Sequence, residues 1–201
     1  MNKINKLRST AIPLNIENID TDQIIPARFL KAITREGFGE NLFRDWRYKS
    51  DGTKNPDFVL NDPKYSGQIL VAGRNFGCGS SREHAAWALV DNGFRVVISS
   101  FFADIFKSNA LNNFLLPIQV TEQELQHIFD IIEKDSKAEF FVDLSMQTIR
   151  ATRYTFCAQF EISPYKKKCL IENLDDVDYL LSQKNEVEKF ERQRVYDYHI
   201  R

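Results

Sequence analysis

The chain has 201 residues, of which 43% are hydrophobic and 27% charged, and its 27 basic and 28 acidic side chains give a formal net charge of -1. A globular chain of this length buries roughly 70% of the surface exposed in the unfolded state, so a sizeable core is available. The balanced charge provides no net positive field, and we expect no nucleic-acid partner. The apolar runs are far shorter than the roughly 20 residues that cross a bilayer, so no membrane partner is expected either.

The three cysteines, Cys78, Cys157 and Cys169, are too widely spaced to form a compact metal-binding loop. Their number is odd, and the chain has no CxxC or Cys/His ligand spacing, which argues against a disulfide framework. The N-terminal residues also lack the continuous apolar stretch of a secretory signal. We therefore expect a cytoplasmic protein whose own residues bind no metal.

The first third of the chain predicts one strand followed by irregular structure. A strand is expected from Ala11 to Ile16, and an Asx-rich turn follows at residues 18–22. The stretch from Gly37 to Pro63 mixes glycine, proline, aspartate and asparagine with aromatic residues. We expect this stretch to be a loop, and long loops inside compact domains are usually functional or mobile.

From Gln68 onward, apolar runs alternate with helical patterns. The predicted elements are a strand at 69–72, a glycine-rich loop at 73–79, a helix at about 82–92, a strand at 95–98, a helix at 103–112, a strand at 115–120 and an amphipathic helix at 122–134. This β-α-β-α-β-α series predicts an α/β fold in which helices cover a parallel sheet.

The last third of the chain predicts additional strands and C-terminal helices. Alternating apolar residues at 140–144 and a β-branched and aromatic run at 148–162 indicate two further strands, arranged as a hairpin. A helix after Pro164 and a charged helix from Asp175 to about Arg194 follow. We expect a single domain over residues 1–201, with an added β layer and a C-terminal helical extension at about 164–201.

The most informative segment joins the strand at 69–72 to the following helix and reads Asn-Phe-Gly-Cys-Gly-Ser-Ser-Arg-Glu-His at residues 75–84. Open parallel sheets bind ligands at such strand-to-helix connections. Gly77 and Gly79 permit positive φ angles, and the helix start offers unpaired N–H groups at the positive end of its dipole. The loop lacks the features of a Walker loop, a dinucleotide fingerprint or a nucleophile elbow. It predicts a site for a small anion.

The residue types and their spacing allow two interpretations of the serines in this loop, a helix cap or a ligand-binding site. Ser80 and Glu83 have the spacing of a capping box, with Ser80 at the N-cap and Glu83 at the third helical position. Capping does not account for Arg82, because a cation in the first turn opposes the helix dipole. Two hydroxyls, an arginine and backbone donors fit a small carboxylate, with Arg82 forming the bidentate contact.

The same loop carries a resemblance to a known family. The run from Gly79 to Ala85, which reads Gly-Ser-Ser-Arg-Glu-His-Ala, resembles a signature of the swivelling domain of the aconitase family. Nearly the whole chain is similar to the isopropylmalate dehydratase small subunits of that family. The blocks that carry this similarity lie at residues 18–30, 37–39, 42–47, 55–60, 75–85 and 102–106. The resemblance implies the swivelling β/β/α fold of aconitase type.

The resemblance also implies a hydro-lyase activity in leucine biosynthesis. Enzymes of this kind interconvert 2-isopropylmalate and 3-isopropylmalate through isopropylmaleate, with a 4Fe–4S cluster on a separate large subunit. We therefore expect the large subunit and a small-molecule substrate as partners, and no cofactor bound by this chain. Two alternatives stay open, a related dehydratase acting on citraconate or homoaconitate, and a non-catalytic module that binds a carboxylate or phosphate.

The resemblance assigns roles to the residues at matching motif positions. It implies two catalytic residues and two residues that bind the substrate. Ser80 is implied to be the catalytic base, and Asp22 is implied to support an acid-base partner across the subunit interface. Ser81 and Arg82 are implied to bind the substrate carboxylate. An Asx turn is the alternative role for Asp22.

A further substrate arginine is implied near Arg35, with Arg28 and Arg44 as alternatives at nearby positions. An isopropyl group needs an apolar wall where citrate needs a cation. We therefore expect substrate choice to depend on the segment from about Ala27 to Trp46.

Overall fold

The computed structural model describes residues 4–30 and 37–193. The strands in this part of the chain are β1 (Lys6–Leu14), β2 (Ile69–Ala72), β3 (Val96–Ser99), β4 (Leu116–Gln119), β5 (Glu139–Asp143), β6 (Thr148–Ala151) and β7 (Cys157–Gln159). The helices are α1 (Thr21–Ile24), α2 (Arg44–Arg47), α3 (His84–Asp91), α4 (Asp104–Asn112), α5 (Glu122–Lys134), α6 (Pro164–Glu172), α7 (Asp176–Ser182) and α8 (Lys184–Gln193).

All of these strands form one sheet in the order β4-β3-β2-β1-β5-β6-β7. Strand β1 joins its two halves, because residues Ala11 to Leu14 pair in parallel with β2 while Lys6 to Thr10 pair antiparallel with β5. The pairs β2–β3 and β3–β4 are parallel, whereas β5–β6 and β6–β7 are antiparallel. The predicted α/β fold class is confirmed, and its added strands continue the sheet beyond β1.

The parallel strands are buried on both faces, which explains their continuous apolar sequence. In β2, Ile69 and Val71 pack into one hydrophobic core together with the apolar face of α5. Leu70 and Ala72 point to the opposite face and pack into a second core with residues of α3 and α4. The carboxyl ends of β1, β2 and β3 meet at one edge of this sheet, where the glycine-rich loop lies.

Most predicted elements are present, with two differences in the second half of the chain. The strand at 69–72 and the helix at 122–134 have the predicted bounds. The run at 148–162 forms two strands instead of one, because the Ala151 N–H donates to the Phe156 carbonyl (3.2 Å) and closes a turn. The charged helix predicted after Asp175 is divided at Gln183 into α7 and α8. The assignment of the whole chain to one domain stays a prediction.

No helix in residues 4–30 or 37–193 is both long enough and apolar enough to cross a membrane.

The stretch from Gly37 to Pro63 contains short helical turns that the sequence pattern does not predict. Its aromatic side chains hold it in place: Phe43 is fully buried, and its ring lies 5.6 Å from that of Trp46 and 6.0 Å from that of Phe58. The conformation of this stretch therefore depends on packing among its side chains, and not on a helical or strand pattern of hydrophobic residues.

One glycine in this stretch sits directly against the C-terminal end of α3. The Gly39 N–H donates to Asp91 Oδ2 (2.7 Å), and Asn92 Nδ2 donates to the Gly39 carbonyl (3.0 Å). A Cβ atom at Gly39 would lie 2.5 Å from the Asn92 backbone nitrogen. The two backbones are therefore too close for any larger residue at this position.

We predict that Gly39→Ala lowers the free energy of unfolding by about 1–3 kcal/mol, because the new methyl group forces the two backbones apart. Urea unfolding followed by tryptophan fluorescence measures this, since Trp46 and Trp87 report on the stretch and on α3. Glu40→Ala, an exposed position in the same turn, is the control and should change stability by less than about 0.5 kcal/mol. Equal effects of the two substitutions would contradict a close backbone approach at Gly39.

Candidate functional site

The chain that leaves β1 and the chain that leaves β2 are hydrogen-bonded to each other at the carboxyl edge of the sheet. The Gly77 N–H donates to the Ile19 carbonyl (2.8 Å), and the Thr21 N–H donates to the Cys78 carbonyl (3.0 Å). These bonds continue the parallel pairing for a short distance beyond the strand ends. They bring α1 next to the glycine-rich loop.

The glycine-rich loop has a backbone conformation that few residues other than glycine adopt. Gly77 and Gly79 have φ angles of +76° and +87°, and Asn75 has a φ of +62°. A Cβ atom at Gly77 would also overlap the Phe106 ring of α4. Glycine is therefore required at residue 77 for two reasons, the left-handed conformation and the close approach of an aromatic ring.

The capping-box interpretation of this segment is wrong. Helix α3 begins at His84, and its N-cap is Glu83, which makes no side-chain capping hydrogen bond. Glu83 Oε1 instead accepts hydrogen bonds from Trp87 Nε1 (3.2 Å) and Asn113 Nδ2 (2.9 Å). Ser80 therefore lies outside the helix, in an irregular turn, and its hydroxyl is not used as a helix cap.

The two serines are held through their carbonyl groups, which leaves their hydroxyls exposed. Thr21 Oγ1 donates to the Ser80 carbonyl (3.1 Å) from one side, and Asn109 Nδ2 of α4 donates to the Ser81 carbonyl (3.4 Å) from the other. Within the described part of the chain, neither serine hydroxyl has a hydrogen-bond partner, and the same is true of the N–H groups of Gly79, Ser80 and Ser81. Among the residues that the structure describes, nothing occupies these two hydroxyls and three amides, and they suit contact with a ligand.

Arg82 is next to these donors and forms an ion pair with Asp22. The Arg82 side chain is 19% exposed and that of Asp22 is 53% exposed. Nη1 of Arg82 is buried and, within residues 4–30 and 37–193, makes no aligned hydrogen bond despite its contact with the carboxylate. The alternative for Asp22 is an Asx turn in Asp20-Thr21-Asp22, and in this segment the side chain that accepts a backbone N–H is that of Asp20. Asp20 caps α1 by accepting from the Gln23 N–H (2.8 Å), whereas the Asp22 carboxylate pairs with Arg82.

The structure therefore brings together four of the five predicted site residues: Ser80, Ser81, Arg82 and Asp22. The fifth, Arg35, lies outside the described residues. This arrangement offers one guanidinium group, two hydroxyls and three amides to an anion. Such donors suit a carboxylate, which accepts several hydrogen bonds at once.

Both alternatives to Arg35 have partners within their own segment. Arg28 forms an ion pair with Asp45, and its guanidinium lies over the Phe29 ring. This ion pair holds the pKa of Asp45 below its usual range. The guanidinium of Arg44 lies 3.8 Å from the ring centroid of Tyr48. These contacts favour a structural role for Arg28 and Arg44.

Sequence reasoning missed three residues that position the site. Thr21, Asn109 and Asn113 hold the backbone of the serines and the side chain of Glu83. Asn113 is buried, and its Nδ2 also donates to the Asn109 carbonyl (2.8 Å). No motif spacing links these residues to the glycine-rich loop, so only the folded arrangement identifies them.

Cys78 lies inside the loop but has the properties of a structural thiol. Its Sγ donates to the Asn18 carbonyl (3.4 Å). Burial, with a smaller contribution from the nearby Asp20 carboxylate, raises the pKa of Cys78. The thiol is therefore protonated at neutral pH, which makes it a weak nucleophile and a weak metal ligand.

The chain is similar in sequence to proteins of one family over nearly its whole length. The family described as "Aconitase C-terminal domain" matches residues 1–123. This range includes the segment that follows β1 and the glycine-rich loop that follows β2. The 3-isopropylmalate dehydratase small subunit of Cytophaga hutchinsonii is 59% identical over 196 residues, covering 98% of each chain. That of Christiangramia forsetii is 56% identical over 96% of this chain and 95% of its own.

A solved structure gives the same result. The crystal structure of 3-isopropylmalate dehydratase from Methanocaldococcus jannaschii matches with a TM-score of 0.64 and 26% sequence identity, covering 92% of this chain and 98% of the other. The chain belongs to the 3-isopropylmalate dehydratase small-subunit family, within the aconitase C-terminal domain class.

We predict that Asn113→Asp lowers the free energy of unfolding at neutral pH by about 3 kcal/mol or more, because it buries a carboxylate facing Glu83. Burial and Glu83 raise the pKa of the introduced group above its unfolded value, so the loss should diminish as the pH falls and the group is protonated. Urea unfolding at several pH values measures both effects.

Asn112→Asp is the matched control for this substitution. Asn112 is exposed, and its Oδ1 already accepts from Lys166 Nζ (2.7 Å), so a carboxylate there gains a cationic partner. We expect a change within about 0.5 kcal/mol. An equally mild effect at Asn113 would contradict the buried contact between Asn113 and Glu83.

We predict that Cys78 is alkylated slowly at neutral pH and that its rate rises to a midpoint above the ordinary cysteine pKa, because only the thiolate reacts. Iodoacetamide labelling of the Cys157→Ser, Cys169→Ala protein measures this profile. Adding Asp20→Asn should lower the midpoint, since it removes a negative charge and keeps a residue suited to the N-cap. A midpoint at or below the ordinary value would rule out the desolvated environment.

Proposed function

We propose that this chain is the small subunit of a 3-isopropylmalate dehydratase, a hydro-lyase that interconverts 2-isopropylmalate and 3-isopropylmalate through isopropylmaleate in leucine biosynthesis. Relatives of that name, 50–59% identical over nearly the whole chain, support this assignment. The structural observation that carries the proposal is the exposed pair Ser80 and Ser81, with unpartnered amides, beside the half-buried Arg82. This arrangement is suited to holding a carboxylate with a reacting carbon beside Ser80.

We propose that the 4Fe–4S cluster of this enzyme class belongs to a separate large subunit. The described residues do not fit it: Cys78, Cys157 and Cys169 are free thiols and form no common metal-binding group. Across residues 4–30 and 37–193, His, Cys, Asp and Glu side chains form no group of three or more suited to a metal ion. The proposal places the enzyme in the cytoplasm, because a reducing compartment preserves both free thiols and such a cluster.

Arg82 is proposed to bind the substrate carboxylate. Its ion pair with Asp22 keeps the guanidinium oriented towards the loop, and its limited exposure strengthens the electrostatic attraction to an anion. Lysine would not replace it, because an ammonium group lacks the planar fork that contacts two carboxylate oxygens. In this proposal Asp22 therefore positions Arg82, in addition to the role across the interface that the family resemblance implies.

Ser80 is proposed to transfer the proton. As an alkoxide, Ser80 Oγ removes the proton from the carbon next to the carboxylate and becomes a hydroxyl. The electron pair of that C–H bond forms the double bond as the hydroxyl group of the neighbouring carbon leaves with its C–O electron pair. The large subunit's cluster, when bound, would supply the Lewis-acid chemistry that accepts this hydroxide. Rehydration with the proton and the hydroxide on exchanged carbons gives the isomeric isopropylmalate, and in that step Ser80 Oγ returns the proton and becomes an alkoxide again. The free amides of the loop and the Arg82 guanidinium stabilise the alkoxide. The α3 dipole contributes less than the sequence predicts, because α3 begins only at His84.

Substrate choice is proposed to depend on the segment from Ala27 to Trp46, in which residues 27–30 and 37–46 are described. Phe29 and Leu30 are half-buried against the core that also contains Phe76 of the glycine-rich loop. They are candidates for the apolar wall that an isopropyl group needs, and a third candidate, Ile33, lies outside the described residues.

We predict that Ser80→Ala lowers kcat by about 10²-fold or more, because it removes a positioned base. The assay is anaerobic isopropylmalate dehydration by this chain with a cluster-reconstituted large subunit, at equal concentrations of complex confirmed by gel filtration. Ser81→Ala is the matched control and should raise KM more than it lowers kcat. Unchanged turnover in Ser80→Ala would assign the base to another residue, and no turnover by the wild-type complex would refute the proposed function.

A further inference from the structure

The two edge strands of the sheet face each other across an open cleft. Strands β4 and β7 lie at opposite ends of the strand order, yet Gln119 of β4 and Gln159 of β7 line one cavity of about 840 Å³. A second cavity of about 750 Å³ adjoins it, and the two share Lys107, Gln147 and Glu161 as lining residues. Small-molecule sites have volumes of roughly 300–1,000 Å³, so this pair of cavities, the edge cleft, is large enough to bind a ligand.

Two opposite charges on the walls of the edge cleft are not paired with each other. Lys107 lies on α4 and is half-buried, whereas Glu161 follows β7. Within the described part of the chain, Lys107 Nζ donates to Gln119 Oε1 (3.4 Å) and has no acidic partner, and the Glu161 carboxylate makes neither an ion pair nor a hydrogen bond. Both residues border both cavities, so a ligand that fills the edge cleft lies between an ammonium and a carboxylate.

The charges of the edge cleft favour a ligand with one positive and one negative group. Its lining carries three carboxylates, those of Asp104, Glu124 and Glu161. Of its two lysines, Lys166 already pairs with Asp176 (2.6 Å), so Lys107 is the one ammonium left for a ligand among the residues that the structure describes. A phosphate or a dicarboxylate would meet more negative than positive charge and is disfavoured.

Apolar side chains and fixed polar groups complete the walls of the edge cleft. Leu111 and Ile162 line the second cavity and are half-buried against the hydrophobic core. Gln147 is held at both ends of its amide, because its Nε2 donates to the Phe160 carbonyl (3.0 Å) and its Oε1 accepts from Lys167 Nζ (3.0 Å). The edge cleft therefore has an apolar side that suits a short aliphatic group, and its wall needs little rearrangement on binding.

We propose that the edge cleft binds a small apolar α-amino acid as a zwitterion. The carboxylate of the ligand lies at Lys107, its ammonium group lies at Glu161, and its side chain packs against Leu111 and Ile162. An α-amino acid carries both charges on one carbon, so a single small molecule pairs the two groups that the chain leaves unpaired. The walls of the cleft exclude part of the solvent, which strengthens both ion pairs.

The edge cleft is separate from the candidate site but shares a helix with it. None of its described lining residues lies between positions 73 and 82. Lys107 nevertheless follows Phe106, which abuts Gly77, and precedes by two residues Asn109, which donates to a serine carbonyl of the glycine-rich loop. A ligand that contacts Lys107 therefore contacts the helix that supports this loop.

The test is isothermal titration calorimetry of the full chain with L-leucine, L-valine and L-methionine at neutral pH. Only the choice of L-leucine as the first probe rests on the proposed function, because leucine is the end product of that biosynthesis. We expect L-leucine to bind with a Kd of about 1 mM or lower. Two analogues lack one charge each: 4-methylpentanoate has no ammonium group, and 3-methylbutylamine has no carboxylate. Each should bind about tenfold more weakly, because one ion pair is lost.

Lys107→Met and Glu161→Gln assign the two charges of the ligand. In Lys107→Met, L-leucine should lose about tenfold in affinity and bind no better than 3-methylbutylamine. In Glu161→Gln, L-leucine should bind no better than 4-methylpentanoate. Lys134→Met replaces an exposed lysine of α5 outside the edge cleft and is the control, which should stay within about twofold of the wild type. Circular dichroism and thermal melting confirm that each variant is folded.

The proposal is overturned if none of the three amino acids binds at about 10 mM, or if Lys107→Met and Lys134→Met bind L-leucine equally well. Binding of either analogue as tightly as L-leucine would also contradict it, since neither analogue carries both charges. The titration uses the chain without the large subunit, and turnover is measured separately with it. A failure to bind amino acids therefore leaves the proposed dehydratase function intact, whereas a lack of turnover refutes that function and leaves the titration result valid.

Discussion

The mutual hydrogen bonding of the two chain segments that leave β1 and β2 is the constraint on which the candidate site depends. Through the bonds from Gly77 to Ile19 and from Thr21 to Cys78, each segment holds the other in its irregular conformation. Asp22 is thereby placed against Arg82, 60 positions later in the chain. The parallel pairing of β1 with β2 makes this possible, because it brings the carboxyl ends of both strands to one edge.

Helix α4 supports the same loop from the other side. Phe106 lies so close to Gly77 that no side chain fits between them, while Asn109 and Asn113 bind the Ser81 carbonyl and the Glu83 carboxylate. The backbone of the loop is therefore fixed on both flanks, while Gly79, Ser80 and Ser81 are exposed. A preorganised set of donors of this kind needs little rearrangement when an anion binds, which favours both affinity and transition-state stabilisation.

Under the proposed function, the site is one half of an active site. Its serines are exposed, and its arginine is shared with an aspartate of the same chain. In water, the attraction between a guanidinium and a carboxylate is weak, and it increases when a second surface excludes solvent. Under the proposed function, association with the large subunit both completes the site and strengthens the attraction between Arg82 and the substrate carboxylate.

By itself, the sequence determined the β-α series, the fold class and the family, because these follow from local patterns such as the buried run at 69–72, the amphipathic pattern at 122–134 and the signature at 79–85. It also indicated an anion site at the glycine-rich loop. Only the tertiary structure decided that α3 begins at His84, because the bond between Thr21 and the Ser80 carbonyl joins residues 59 positions apart. Likewise, the aromatic packing of 37–63 and the support from Asn113 are contacts between segments distant in the chain. Spacing in a sequence cannot express such contacts, because the fold alone brings their partners together.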